Sequence, residues 1–246
     1  MQSEKKQLEE LLIHYFREYY SEFPKGKLTS SESPDFVLKM KTRFHLGIEI
    51  TRLNPVNAIS PDKNTVAYGA FIKEVIEQAE FLFSQSMSLQ LFVKVLFSDK
   101  RRITAERKLI VGARLANTVR ETVRDKKTNS FFRESVPAKL LPTGIEEVLI
   151  LHHPNLETAI WEPSNNLGIS ENVPADVQTA IQKKDEKMDL YQKQQLNNYW
   201  LIITTDRLRG TKNYNLQNKV LNQQFHSRFQ QVFLFDLMRA NIFRLL

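Results

Sequence analysis

Two short runs of strand-forming residues, Phe36 to Met40 and Phe44 to Leu53, constrain this chain more than any other feature. Both are rich in β-branched and aromatic side chains, which suit a pleated, half-buried surface. The turn between them, at Lys41-Thr42, is short enough for a hairpin, although it lacks the Asn-Gly or Asp-Gly pair of the tightest turns. A hairpin brings Asp35, at the start of the first strand, beside Glu49, near the far end of the second. Two carboxylates converging on adjacent strands suit a hard divalent cation, because Mg²⁺ takes one or two carboxylates and keeps several waters. The competing reading leaves Asp35 as a turn residue after a proline and Glu49 as an exposed strand residue.

Ser31-Glu32-Ser33-Pro34-Asp35-Phe36 and Gly47-Ile48-Glu49-Ile50-Thr51 together resemble the signature of the PD-(D/E)XK nuclease superfamily, and within it a group of uncharacterised bacterial members. The resemblance implies an α/β fold with a restriction-endonuclease-like three-layer core, in which helices flank a central mixed β-sheet. It also implies Mg²⁺ (or Mn²⁺) held by Asp35, Glu49 and the Ile50 carbonyl, and hydrolysis of nucleic-acid phosphodiesters. In the superfamily a lysine two residues after the Glu helps to position the attacking water; here that position is Thr51. On a strand Thr51 points the same way as Glu49, and it brings no charge. Some members carry the lysine on a later helix. Ile181, Lys184, Lys187 and Tyr191 fall within about 120° of one another on a helix, and the strand-like Tyr199 to Thr204 follows. Lys184 is therefore the first candidate for the missing catalytic charge and Lys187 the second. The alternative is that both lysines lay aliphatic stems on the core and keep their ammonium groups in water. The resemblance also admits a further acid from the first helix, with Glu9, Glu10 and Glu18 as the local options.

Charge narrows the partners. The net charge is +7, and Lys100 to Lys127 holds ten basic and three acidic residues, whereas the rest of the chain carries 25 of each. An excess confined to one segment is what a phosphate-binding surface looks like. The segment reads as a helix from about Ile103 to Arg124, with Leu109, Ala113, Ala116, Val119 and Val123 as its buried stripe and Arg107 and Arg114 opposite. Those two arginines are the candidate nucleic-acid contacts, with DNA ahead of RNA. A merely solvated helix face, or an acidic protein partner, would produce the same pattern. A homodimer is compatible with the resemblance.

Hydrophobic residues make up 41% of the chain, which excludes disorder. The absence of cysteine removes disulfides and thiolate metal sites and points to a reducing cytoplasm. With no apolar leader after the first charges and no apolar run of about 18 residues, no membrane partner is expected. Seven glycines, without a Gly-rich phosphate loop, argue against a dinucleotide fold. His152-His153 looks like a metal pair, yet adjacent residues on an extended chain point to opposite sides, so a structural role is expected.

The remaining periodicities predict a helix over Ser3 to Glu22, a helix over Val66 to Ser84 and a strand from Leu89 to Phe97. They further predict a pair of strands at Glu147 to Leu151 and Thr158 to Trp161, then a polar loop from Pro163 to Pro174 around Gly168. A helix over Ala175 to Gln194 and terminal strands at Val232 to Asp236 and Ile242 to Leu245 complete the series. The expected organisation is a single domain over 1–246, with a core of about 1–53 and 174–246 and an insertion of about 54–173. In the competing assignment the 66–84 helix and 89–97 strand continue the core.

Overall fold

A computed structural model describes residues 3–54, 63–98, 100–164, 172–206 and 220–246 of the chain. The centre of the polar loop expected around Gly168 lies outside the described residues. The chain is α/β and divides into two compact units, one of 1–11 with 60–167 and the other of 12–59 with 168–246. In chain order the elements are α1 (Glu4–Tyr19), β1 (Lys27–Ser30), β2 (Phe36–Lys39), β3 (His45–Arg52), α2 (Lys63–Ser84), β4 (Phe92–Phe97), α3 (Lys108–Val123) and β5 (Phe132–Ser135). They continue with β6 (Ile145–His152), β7 (Ile160–Pro163), α4 (Val173–Asp185), α5 (Met188–Gln192), β8 (Asn198–Thr205), β9 (Gln231–Asp236) and β10 (Asn241–Arg244).

The unit of 12–59 and 168–246 is built on a six-stranded mixed sheet in the order β1-β2-β3-β8-β9-β10. β2 and β3 form the expected hairpin, Phe36 opposite Ile48 and Leu38 opposite Leu46. Arg43 closes the turn with φ of 60°, the left-handed conformation that three-residue hairpin loops use. β3 then runs parallel to β8, which runs parallel to β9. The strand that extends the hairpin sheet is thus β8, following α4 and α5; β4 belongs to a separate sheet. Alternation decides what each face buries. Trp200 and Phe233 point one way, where Phe16 of α1 and Tyr20 meet Phe233 at ring separations of 5.2 and 5.0 Å. Leu201, Ile203, Val232 and Leu234 point the other way and pack with Val177, Ile181, Met188 and Tyr191 of α4 and α5. Helices therefore cover both faces. Asn172 caps α4 by accepting from Ala175 N at 3.2 Å, the N-terminal arrangement that satisfies an orphan amide.

The unit of 1–11 and 60–167 holds a four-stranded mixed sheet in the order β5-β6-β4-β7. The two strands expected at 147–151 and 158–161 form as β6 and β7, and β4 lies between them, antiparallel to the first and parallel to the second. β4, one of the two inner strands, has an almost unbroken apolar run and is buried throughout. Val93, Val95 and Phe97 face a core shared with α2 and α3. On the opposite face sits Lys94, 1% exposed, with its ammonium 2.5 Å from Glu162. α3 is rotated from its expected setting. Its buried residues are Val111, Gly112, Leu115, Ala116, Val119 and Val123, while Leu109 is 65% exposed. Val111, Leu115, Val119 and Val123, four residues apart, make the continuous buried stripe, and Leu109 lies off it, just after a 3-10 turn at Ala105–Arg107. Gln7, in the first turns of α1, is buried and its Oε1 accepts from the Glu157 and Thr158 amides at 3.0 and 3.2 Å.

Candidate functional site

The ladder between β2 and β3 ends at the pair Phe36–Ile48, so residues beyond it on β3 have no β2 partner along that edge. Asp35 fills the gap. Its Oδ2 accepts the Ile50 N–H at 2.8 Å, and its own N–H donates to Glu49 Oε2 at 3.2 Å. Each carboxylate thus takes the place of a missing strand partner, which explains why both stay buried, at 8% and 5% exposure. In an extended strand a residue's N–H and C=O point to the same edge, so the Ile50 carbonyl is directed to the Asp35 side. Asp35, Glu49 and Ile50 converge as an all-oxygen donor set, the chemistry a hard cation needs.

Gly47, Glu49 and Thr51 lie opposite Tyr199, Leu201 and Ile203, the β8 residues beneath α4 and α5. That placement brings Glu49 to Lys184, whose Nζ lies 2.6 Å from Glu49 Oε1. The lysine side chain is 19% exposed, so the pair joins a buried carboxylate to a partly exposed ammonium. Thr51 is half-buried and its carbonyl accepts from Thr204 Oγ1 at 3.3 Å. Lys184 therefore brings to Glu49 the positive charge that Thr51 lacks. Lys187 is exposed and makes no ion pair with Asp35 or Glu49 among the described residues. α4 ends at Asp185 and α5 restarts with Met188 and Tyr191 turned inward, which leaves the intervening Lys187 on the solvent side.

Three further residues shape the site. Tyr191 is 1% exposed; its burial, then the charge of Glu49 and a hydrogen bond to that carboxylate, then the charge of Asp35, push the phenol well above the ordinary tyrosine range. Its hydroxyl is fully enclosed. Gln194 Nε2 donates to Ser31 Oγ at 3.2 Å and to the Ser33 carbonyl, fastening the end of α5 to the loop that carries Asp35. Gly47 is required by space, since a Cβ there would fall 2.8 Å from both Pro34 Cγ and Tyr199 Cδ1. The only sequence signal for Tyr191 is its position seven residues after Lys184 on the shared helix face; nothing local marks Gln194.

Other candidates separate from this centre. α1 covers the opposite face of the sheet, where Glu18 is exposed, and Glu9 pairs with Lys5 and Lys6 at 3.4 and 3.6 Å. Among the described residues no group of three or more His, Asp or Glu could hold a metal. A cation at this site would therefore take two carboxylates and a carbonyl from the chain and the rest of its shell from water, as Mg²⁺ commonly does. His152 is buried, with Nδ1 2.9 Å from the Gln90 carbonyl and Nε2 2.9 Å from that of Thr128, whereas the His153 Nδ1 accepts from Asn155 N at 3.2 Å. The two rings have separate structural roles.

In the other unit Arg107 and Arg114 are exposed, and no carboxylate pairs with either among the described residues. By contrast Lys108 pairs with Glu74, Arg124 with Glu121 and Lys126 with Glu134, so part of the segment's excess charge is neutralised internally. No helix among the described residues is long and apolar enough to cross a membrane. No protein-family model, curated protein or solved structure matches the chain.

Proposed function

We propose that the unit of 12–59 and 168–246 is a restriction-endonuclease-like core and that the chain is a Mg²⁺-dependent nuclease acting on nucleic-acid phosphodiesters, DNA ahead of RNA. The observation that carries this reading is the 2.6 Å ion pair of Lys184 with Glu49, a charge delivered from a helix to the strand whose own lysine position is Thr51. Asp35, Glu49 and the Ile50 carbonyl would hold Mg²⁺ (or Mn²⁺). When bound, such an ion polarises a phosphoryl oxygen and lowers the pKa of a coordinated water. Lys184 orients the attacking water and stabilises charge developing on the phosphorane-like transition state. Arg107 and Arg114 hold backbone phosphates, which gives salt-dependent and largely sequence-independent affinity. The test is calorimetric titration with Mn²⁺, then incubation with single- and double-stranded DNA and RNA. Wild type should bind the ion and cut, and Glu49→Gln should lose both while still retaining nucleic acid. Cleavage surviving in Glu49→Gln refutes the assignment of the site.

A second reading is a nucleic-acid-binding or assembly module on the same fold without catalysis. It is favoured by the two-carboxylate donor set and the uncharged Thr51. It predicts nucleic-acid retention in a chelator and no cleavage with any divalent ion.

A further inference from the structure

Asp35 acts from a loop and Lys184 from a helix, so the site needs a joint between the two. Asp35 closes its own loop, its carbonyl accepting from the Ser31 amide at 2.8 Å. At the same time Oδ2 must hold the Ile50 N–H at 2.8 Å while the Asp35 amide meets Glu49 Oε2 at 3.2 Å. Both bonds depend on where residues 31–34 lie. Gln194 reaches that segment from beyond α5: its Nε2 donates to Ser31 Oγ at 3.2 Å and to the Ser33 carbonyl, two residues before Asp35. The helix side of this joint is firmly held. Asp185, directly after Lys184, accepts from Ser227 Oγ at 2.9 Å and from the Arg228 amide at 3.0 Å. The Gln194 amide donates to the Tyr191 carbonyl at 3.1 Å, and that carbonyl also accepts from the Tyr199 hydroxyl at 3.0 Å. Asn197 then bonds His45 of β3 in both directions, at 2.7 and 2.9 Å.

We infer that Gln194 is a positioning residue that sets the Asp35 loop from the helix pair, so that the Asp35 carboxylate and the Lys184 ammonium share one frame. Functional groups work only when held within about 0.5 Å of the productive geometry by the residues around them. A carboxylate at the start of a strand, just past the last rung of its own ladder, lacks that support unless the loop before it is tied down. Gln194 supplies the tie through two donors from one amide. Because Gln194 is exposed, replacing it removes no core packing. The inference rests on the proposed site and deepens it, but its first test needs neither metal nor substrate.

The test is native-state hydrogen exchange followed by NMR on the full chain in a chelator. The Ile50 amide reports the Asp35 bond directly, and the Leu53 amide, which donates to the Thr204 carbonyl at 2.8 Å, is the reference on the β8 side. Gln194→Met keeps the length of the side chain and removes its donors. It should speed exchange at Ile50 at least tenfold relative to Leu53. Gln194→Lys, which keeps a donor of similar reach, should hold Ile50 within threefold of wild type. Equal acceleration at the two amides, or none at either, overturns the inference, as does a Lys variant that exchanges like the Met variant. The consequence at the site is read by Mn²⁺ titration, where Gln194→Met should weaken binding at least tenfold; an affinity within twofold of wild type overturns the positioning role. Absent Mn²⁺ binding in wild type counts against the nuclease reading instead, and the amide ratio still decides the role of Gln194.

Discussion

Replacing Gly47 by alanine tests whether the site is held from behind by close packing. The added methyl would sit 2.8 Å from Pro34 Cγ, 2.8 Å from Tyr199 Cδ1 and 3.0 Å from Leu196 Cδ1. Carbon atoms rest at about 3.5–4.0 Å, so each neighbour must retreat by roughly 0.5–1 Å. None yields freely. Pro34 is a ring bonded directly to Asp35, and the Tyr199 hydroxyl is fixed by the Tyr191 carbonyl at 3.0 Å and the Leu196 amide at 3.3 Å. Overpacking of this kind costs about 1–3 kcal/mol, while removing a glycine from a strand returns about 0.5–1 kcal/mol. The expected net loss is about 1–2 kcal/mol, a factor of roughly 5–30 in the unfolding constant. Urea unfolding followed by tryptophan fluorescence in a Trp161→Phe background reads it out, since Trp200 on β8 is then the single indole. Displacing Pro34 also moves Asp35 relative to Ile50, so Mn²⁺ affinity should fall further than the stability loss accounts for. A stability change below about 0.3 kcal/mol, with unchanged Mn²⁺ affinity, would show that Pro34 and Tyr199 yield easily and refute the reasoning.

Three other outcomes follow from the structure. Burial, with Glu49 and Asp35 nearby, raises the Tyr191 phenol, so an unfolded tyrosine ionises first; its stabilising contribution is full below about pH 10 and declines as the pH rises further, by up to about 1.4 kcal/mol per unit. Tyr191→Phe should flatten that alkaline fall, and an identical slope in urea titrations between about pH 10 and 11 would contradict it. Arg43 occupies a left-handed turn conformation that glycine adopts without strain, so Arg43→Gly should be neutral to stabilising by up to about 1 kcal/mol; a clear loss in thermal unfolding would mean that the side chain does more than close the turn. Reversing charge at Arg107 and Arg114 together should weaken nucleic-acid retention and reduce the salt slope by about two units, and a fluorescence-anisotropy titration with an unchanged slope would move the contact surface elsewhere.

Much of the site was legible because it is local. The alternation of β3 puts Gly47, Glu49 and Thr51 on one face, and a short turn is enough to bring Asp35 to Glu49. Lys184 was readable through helical periodicity, and the same periodicity could not separate it from Lys187. The difference arises at Glu186 and Lys187, where the helix breaks between α4 and α5; no proline or glycine marks the break. Leu109 misled because apolar residues occur on more than one side of α3, and only packing chose the stripe of Val111, Leu115, Val119 and Val123.

By itself, then, the sequence determined the α/β class, the hairpin, the cation-compatible carboxylate pair and the basic segment, all of which depend on neighbours a few residues apart. Tertiary structure decided the rest. It placed Lys184 on Glu49 across 135 residues of chain, chose β8 as the parallel partner of β3, slid β4 between β6 and β7, and enclosed Tyr191 beside the carboxylates. These outcomes depend on which apolar faces bury one another. Such nonlocal packing is a property of the whole folded chain and leaves no spacing rule to read in advance.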